Sequence, residues 1–464
     1  MTWLILHIVV SITVGLVVML QCRDPYRTLL WMAVLLALPV VGLLLFLLVG
    51  KDMRNVKEVD DKTWKLLSPP PDISATPPEE GQRRLSQMLE RMTGLGVSAG
   101  NRCQLYTDFD NMFKALMDDI RAAQKHVHIE FFKIEDDAIG KALGDLLVAK
   151  AQQGVEVRLI YDHAANLGVS RGFYRRMQRG GVEVLPFLPL VPSMLKRRAN
   201  YRNHRKIVVV DGTVGYTGGM NLAQRYRDGI KTGIWRDTFI RMDGPIAGQL
   251  QSVFAGDWHY GTGRLLTRAD YRPADLSPHP DGALLQVVPN NPWGDSHAVQ
   301  QALTQLIAGS RQYVYLQSPY LMPDTAMLAA LKNSALAGVD VRIMIPEKPD
   351  KGRMVQWASH SYFDELLSAG VKILCYTKGY MHAKTAVCDD MTATVGSTNI
   401  DVRSLETDFE VNCLVYDKNL TARLRDIFLA DQENCVAIDL EHWRQRAPRQ
   451  RLLEAFARLF VPTI

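Results

Sequence analysis

A chain of 464 residues exceeds what one compact core usually holds, so two folded units plus attachments are expected. Its 47% hydrophobic and 22% charged residues are ordinary globular composition, not that of a disordered or fibrous chain. A net charge of +5 suits an anionic surface or substrate, but it lacks the dense basic stripe of a nucleic-acid binder.

The apolar residues are concentrated at the start. Trp3 to Leu20 is nearly continuous apolar sequence, interrupted by His7, Ser11 and Thr13, and Leu29 to Val49 follows after a polar break. A spanning helix needs roughly 20 mostly apolar residues, so residues 1–50 are expected to form a two-helix transmembrane hairpin. The alternative is a cleaved signal followed by one anchor, but no basic segment precedes the first run and no Ala-x-Ala-like site ends it. Pro39 is tolerable in such a helix. Lys51, Arg54 and Lys57, set against Arg23 and Arg27, lean towards a cytoplasmic body.

Residues 51–100 read as a linker, because Ser68 to Gly81 carries five prolines and little apolar material. A short helix is expected over Arg83 to Met92. The remainder repeats. Gln124-Lys125-His126-Val127-His128-Ile129-Glu130 matches Arg311-Gln312-Tyr313-Val314-Tyr315-Leu316-Gln317, and Gly154-Val155-Glu156-Val157-Arg158 matches Gly338-Val339-Asp340-Val341-Arg342. Strands alternating with helices predict an α/β unit present twice, over residues 101–270 and 271–440, with a largely parallel sheet in each. The first copy carries an insertion, Leu185 to Arg198, which is either a lipid-touching loop or an ordinary Pro-rich surface loop. Residues 441–464 predict an amphipathic helix whose Leu452, Leu453, Phe456, Leu459 and Phe460 share one face, which is expected to pack on its own domain, with membrane contact as the lesser alternative. Six scattered cysteines read as reduced thiols.

The chemistry sits in the last repeated segment. Asn203-His204-Arg205-Lys206 leads through an apolar run to Asp211-Gly212 and then Asn221, while Met381-His382-Ala383-Lys384 leads to Asp389-Asp390 and Asn399. The spacing from His through Lys and Asp to Asn is identical in the two copies. One such motif is near noise; two inside a wider repeat are strong. His and Lys at i and i+2 of a strand share a face, and Asp211-Gly212 is a hairpin signal that returns Asn221 towards His204. Two half-sites facing each other would surround a tetrahedral phosphate. Lys206, Lys384, Asn221 and Asn399 would stabilise its oxygens, and two histidines would supply nucleophile and proton. Asp211 and Asp389 complete the motifs as turn and scaffold residues. No metal or other cofactor is expected, since lysine is a poor ligand and no other ligand types cluster.

These paired motifs resemble those of the phospholipase D superfamily. With the N-terminal hydrophobic segments, Asn200 to Lys206, Trp235-Arg236-Asp237-Thr238 and Gln317 to Asp324, the chain is similar to bacterial cardiolipin synthases over nearly its whole length. The resemblance implies two phospholipase D-like units related by a pseudo-twofold axis, with mixed sheets flanked by helices. It also implies transfer of a phosphatidyl group between two phosphatidylglycerols, with release of glycerol, through a phosphohistidine. Carried over, His204 is the nucleophile and His382 the acid, and Asp237 and Glu410 are the carboxylates that orient the imidazoles. Asp408 departs from the pattern, since many members have Asn there. The implied partners are phosphatidylglycerol and anionic membrane lipid, with the protein integral to the membrane and no nucleic acid bound. Competing readings are a hydrolytic phospholipase D, a nuclease, and a non-catalytic scaffold.

Overall fold

The computed structural model describes residues 12–13, 15–16, 19, 25–38, 41–44, 46, 59–69, 75–195, 198, 200–231, 233–271, 278–292 and 297–461. Much of the expected hairpin, including Pro39, lies outside the described residues, as do Lys51, Arg54 and Lys57, the proline-rich stretch at 70–74, and Lys196 and Arg197. A helix covers Pro25–Ala37. Among the described residues no helix is long and apolar enough to cross a membrane.

The strands of the first copy are β1 (Ser98–Tyr106), β2 (His126–Phe131), β3 (Glu156–Asp162), β4 (Glu183–Phe187), β5 (Lys206–Val210), β6 (Val214–Gly218), β7 (Ile234–Arg236) and β8 (Phe239–Asp243). The second copy has β9 (Ala283–Asn290), β10 (Tyr313–Gln317), β11 (Leu321–Met322), β12 (Asp340–Pro346), β13 (Lys372–Tyr376), β14 (Gly379–Met381), β15 (Thr385–Cys388), β16 (Thr392–Gly396), β17 (Ile400–Asp401), β18 (Glu410–Val415) and β19 (Cys435–Ala437). Fifteen of them form one sheet in the order β19-β13-β12-β10-β15-β16-β18-β9-β1-β8-β6-β5-β2-β3-β4. Read outward from the β9–β1 seam, the two halves repeat the same order. The repeat seen in the sequence is therefore a repeat of structure, and the two copies share one continuous sheet.

The sheet is mixed for a local reason. Crossover helices such as Ala138–Gln152 and Thr325–Leu336 make β2–β3–β4 and β10–β12–β13 parallel, whereas three-residue connections make β5–β6 and β15–β16 antiparallel hairpins. Asp211 and Gly212, with φ of 51° and 70°, take the left-handed conformation such a turn requires; Asp389 and Asp390 do the same at 53° and 54°. The Asp211 carboxylate accepts from the backbone amides of Gln124, Lys125 and His126, and Asp389 accepts from those of Arg311, Gln312 and Tyr313. Each thereby ties its hairpin to the start of the neighbouring central strand.

Three expectations change here. Residues 51–100 hold more than a linker: helices Asp61–Leu67 and Glu80–Thr93 bury Leu67, Leu85 and Leu89 in the cores. The insertion is partly regular, since β4 runs to Phe187 and a helix covers Leu190–Leu195. Phe187 is buried against Phe409 while Val191 is exposed. The C-terminal helix, Pro448–Arg458, docks through Ala457 and through Glu454, which pairs with Arg446; Leu452, Phe456 and Leu459 face outward. Its apolar stripe and its packing face do not coincide.

Candidate active site

Both histidine motifs sit at the mouth end of their hairpins, next to the opposite copy. The His204 amide donates to the Phe409 carbonyl at 2.9 Å, and the His382 amide donates to the Arg236 carbonyl at 2.7 Å. β14, which leads into His382, pairs in parallel with β7 of the first copy. Each histidine is thus laid against the segment just before the other copy's carboxylate.

The side chains follow. His204 Nδ1 lies 2.9 Å from Glu410 Oε1, and His382 Nδ1 lies 2.6 Å from Asp237 Oδ2. The carboxylate downstream of each motif orients the imidazole of the other motif. With Nδ1 turned to a carboxylate, each ring leaves Nε2 for chemistry. Glu410 is held in turn by the Ser397 hydroxyl, whereas the matching position in the first copy is Gly219. A Cβ at Gly219 would stand 2.1 Å from Asp237 Oδ1, so only glycine leaves that carboxylate room.

The lysines are buried beside the histidines. Lys206 Nζ donates to the His204 carbonyl at 2.5 Å, and Lys384 Nζ lies 2.9 Å from His382 Nδ1 and donates to the His382 carbonyl. Desolvation, then the two ammonium groups, push both imidazoles well below the ordinary histidine range. Burial also brings Lys206 down to about 7 and Lys384 to about 8. The same burial raises Asp237 to about 6 and Glu410 to about 7, opposed by the lysines. Burial rather than repulsion alone depresses the lysines, so an anion bound between them would favour their ionised form.

The two histidines differ in surroundings. Trp235, Tyr226 and Tyr380 enclose His382, with ring centroids at 4.7, 5.6 and 5.9 Å, while His204 has the Phe132 ring edge-on at 4.8 Å. Aromatic faces favour a cation, which suits an imidazolium at His382. His204 instead borders a cavity of about 370 Å³ shared with Phe132, Arg202, Tyr320, Lys351, Asn399 and Arg403. Asp408, the departure noted in the sequence, also lines it and pairs with Arg403 at 3.3 Å; burial raises its carboxyl to about 6.

Not every expected residue joins this cluster. Asp211 and Asp389 lie beyond the far ends of β5 and β15 and act on backbone amides, as scaffold. Asn221 was expected to face phosphate, but its carboxamide donates to the Tyr226 hydroxyl at 2.6 Å and accepts from the Lys133 amide at 3.2 Å. It supports the aromatic wall of His382 instead. Asn399 differs: its buried Oδ1 has no hydrogen-bond partner among the described residues, and it lines the cavity. Arg205, the variable residue of the first motif, carries a load the spacing does not reveal. Its buried guanidinium bonds Asp257, Asn291 and the carbonyls of Asn290 and Glu410, fastening the two copies behind the site. The Trp235 segment was visible in the sequence, but nothing there marked Lys351 or Arg403.

Comparison with known proteins places this geometry. The family described as "Cardiolipin synthase, PLD-like domain" matches residues 116–258 and 303–432, and "Phospholipase_D-nuclease N-terminal" matches residues 3–51. Cardiolipin synthase 2 of Bacillus anthracis is 34% identical over 97% of this chain and 89% of its own length. Cardiolipin synthase of Geobacillus kaustophilus is 36% identical over 98% of this chain and 92% of its own. Among solved structures, phosphatidylserine synthase of Haemophilus influenzae shares the fold, with a TM-score of 0.62 at 15% identity over 82% of this chain and 99% of that one. The chain belongs to the cardiolipin synthase family of the phospholipase D superfamily.

Proposed function

We propose that this protein transfers a phosphatidyl group from one phosphatidylglycerol to another, giving cardiolipin and glycerol. The observation that carries the reading is the crosswise site, in which each imidazole is oriented by the other copy's carboxylate beside two buried lysines. His204 Nε2 attacks phosphorus, and the bond from phosphorus to the glycerol oxygen breaks. His382 gives its proton to that oxygen, and Lys206 and Lys384 stabilise the charge on the non-bridging oxygens. Glycerol then leaves. The hydroxyl of a second phosphatidylglycerol gives its proton to His382, its oxygen attacks phosphorus, and the bond to His204 breaks. One phosphodiester is exchanged for another, so no nucleotide, metal or other cofactor enters the balance.

The role split rests on surroundings. His204 opens on the cavity, with one carboxylate and the edge of Phe132 beside it, which suits a neutral nucleophile. His382, walled by aromatic rings and nearer its carboxylate, is depressed by burial and then by the lysines, and it suits the acid once a bound phosphate offsets those lysines. Asp211 and Asp389 contribute through the hairpins, and Asn399 through the cavity. Residues 1–50, matched by the N-terminal family, are read as a transmembrane hairpin that anchors the body at the cytoplasmic face of the bacterial inner membrane, where phosphatidylglycerol and anionic lipid are at hand. The units at 101–270 and 271–440 act as one catalytic body, preceded by the segment at 51–100 and followed by the helix in 441–464.

Acid-free quenching of enzyme mixed with phosphatidylglycerol labelled in its phosphate tests the reading. Label on His204 is expected, and absent in His204→Ala. Label mapped to His382 reverses the roles, and no label on either histidine removes the covalent mechanism.

A further inference from the structure

The loops that follow β3 and β12 are equivalent in the two copies, and both reach the cavity beside His204: Ala164 and Ala165 from one, Lys351 from the other. Outside that cavity the first loop turns apolar and then basic. Leu167 is 59% exposed, and Val191 is 68% exposed on the short helix whose first residue, Leu190, donates its amide to His163 at 3.3 Å. Leu167 lies two residues past Ala165 of the cavity wall, and the Leu190–His163 bond sets the helix carrying Val191 beside the same loop. The helix Arg171–Arg179 follows directly. It buries Phe173, Tyr174 and Met177 and exposes Arg171, Arg175 and Arg179 at successive four-residue steps, one stripe along its outer face. Arg176 pairs with Asp145, but among the described residues no carboxylate pairs with Arg171, Arg175 or Arg179. Across the mouth, Lys351 and Arg353 are exposed, beside the exposed Glu347.

A protein that met only water and dissolved substrate would gain nothing from leucine and valine at its mouth with unpaired arginines beside them. A phospholipid surface rewards both. Aliphatic side chains enter the boundary between headgroups and acyl chains, and arginines lie against phosphates. Resting on the lipid-transfer reading above, we propose that this rim is a second membrane contact, separate from residues 1–50. In it, Leu167 and Val191 enter the headgroup layer of an anionic phospholipid bilayer while Arg171, Arg175 and Arg179 hold its phosphates. The contact would set the cavity mouth on the bilayer, so that a lipid headgroup reaches His204 without leaving the membrane.

The test uses the full chain and the triple variant Arg171→Glu, Arg175→Glu, Arg179→Glu, none of which belongs to the site. Glycerol release is measured from vesicles of phosphatidylglycerol diluted in phosphatidylcholine, and from a short-chain phosphatidylglycerol dispersed as monomers. The variant is expected to need roughly a hundredfold more vesicle lipid for half-maximal rate, given roughly fivefold for each of the three arginines at an anionic surface. Its turnover of the monomeric substrate is expected to be unchanged. An unchanged vesicle profile overturns the proposal, and so does an equal loss on monomers, which would put the arginines at the site itself. Docking is also read without turnover. Leu167→Trp, in vesicles of brominated lipid, should add fluorescence that bromine quenches; added fluorescence without quenching overturns the proposal. Wild type that releases no glycerol from vesicles or from monomers would instead count against the transfer reading, and the quenching result would stand apart from it.

Discussion

Glu410→Gln tests the crosswise arrangement with the least disturbance. The amide keeps the shape of the carboxylate and can still accept from the Ser397 hydroxyl, but it loses the charge that meets His204 Nδ1 at 2.9 Å. A hydrogen bond to a charged group contributes about 1.5–3 kcal/mol. If that bond is needed in the transition state, its loss slows the step at His204 by roughly 10- to 150-fold at about 1.4 kcal/mol per decade. Rapid-quench formation of the labelled phosphoenzyme measures that step. The location of the effect matters more than its size. In enzyme with nitrogen-labelled histidine, Glu410→Gln should shift the His204 ring signals and leave those of His382, and Asp237→Asn should do the converse. If each substitution instead perturbs the histidine of its own copy, the crosswise reading is refuted.

Three further outcomes follow from the same geometry. With Lys206 near 7 and Lys384 near 8, raising the pH neutralises both ammonium groups well before an ordinary lysine, so sulfate inhibition should weaken as pH rises through 7 to 8; inhibition that holds until about pH 10 would contradict the buried-lysine account. Gly219→Ala places a Cβ on Asp237 and should cut glycerol release about 10- to 100-fold through loss of His382 orientation, visible in the same histidine spectra; an unchanged rate would show that the carboxylate has slack. Asp211→Ala removes the acceptor for three backbone amides and should cost about 2 kcal/mol of stability, seen as a lower Tm, with turnover per folded enzyme retained. Lost turnover at an unchanged Tm would move Asp211 into the chemistry.

The repeated α/β unit could be read from the sequence, because the same order of glycine stops, apolar strands and histidine motifs occurs twice. The sheet in each copy is mixed rather than largely parallel as expected: in the fifteen-stranded sheet only β2–β3–β4 and β10–β12–β13 are parallel, and the hairpins and seam strands pair antiparallel. The hairpins after Lys206 and Lys384 could be read from Asp-Gly and Asp-Asp. The meeting of His204 with Glu410 could not. Their pairing is decided where β14 lies along β7 and where Asn203 bridges to Phe409, contacts across 145 to 206 residues that leave no local periodicity. Asn221 and Asn399 were indistinguishable by spacing; the tyrosine at position 226 draws one carboxamide into the scaffold and nothing equivalent draws the other. Arg205 stood in a variable motif position, so its role behind the site was invisible until Asp257 and the Glu410 carbonyl were placed around it.

The most direct measurement is the product balance of the purified full-length protein in phosphatidylglycerol vesicles, with no nucleotide and with a metal chelator present. Transfer between two phosphatidylglycerols predicts one cardiolipin for each glycerol released. Phosphatidic acid as the sole lipid product would show that water takes the second hydroxyl's place, and would contradict it.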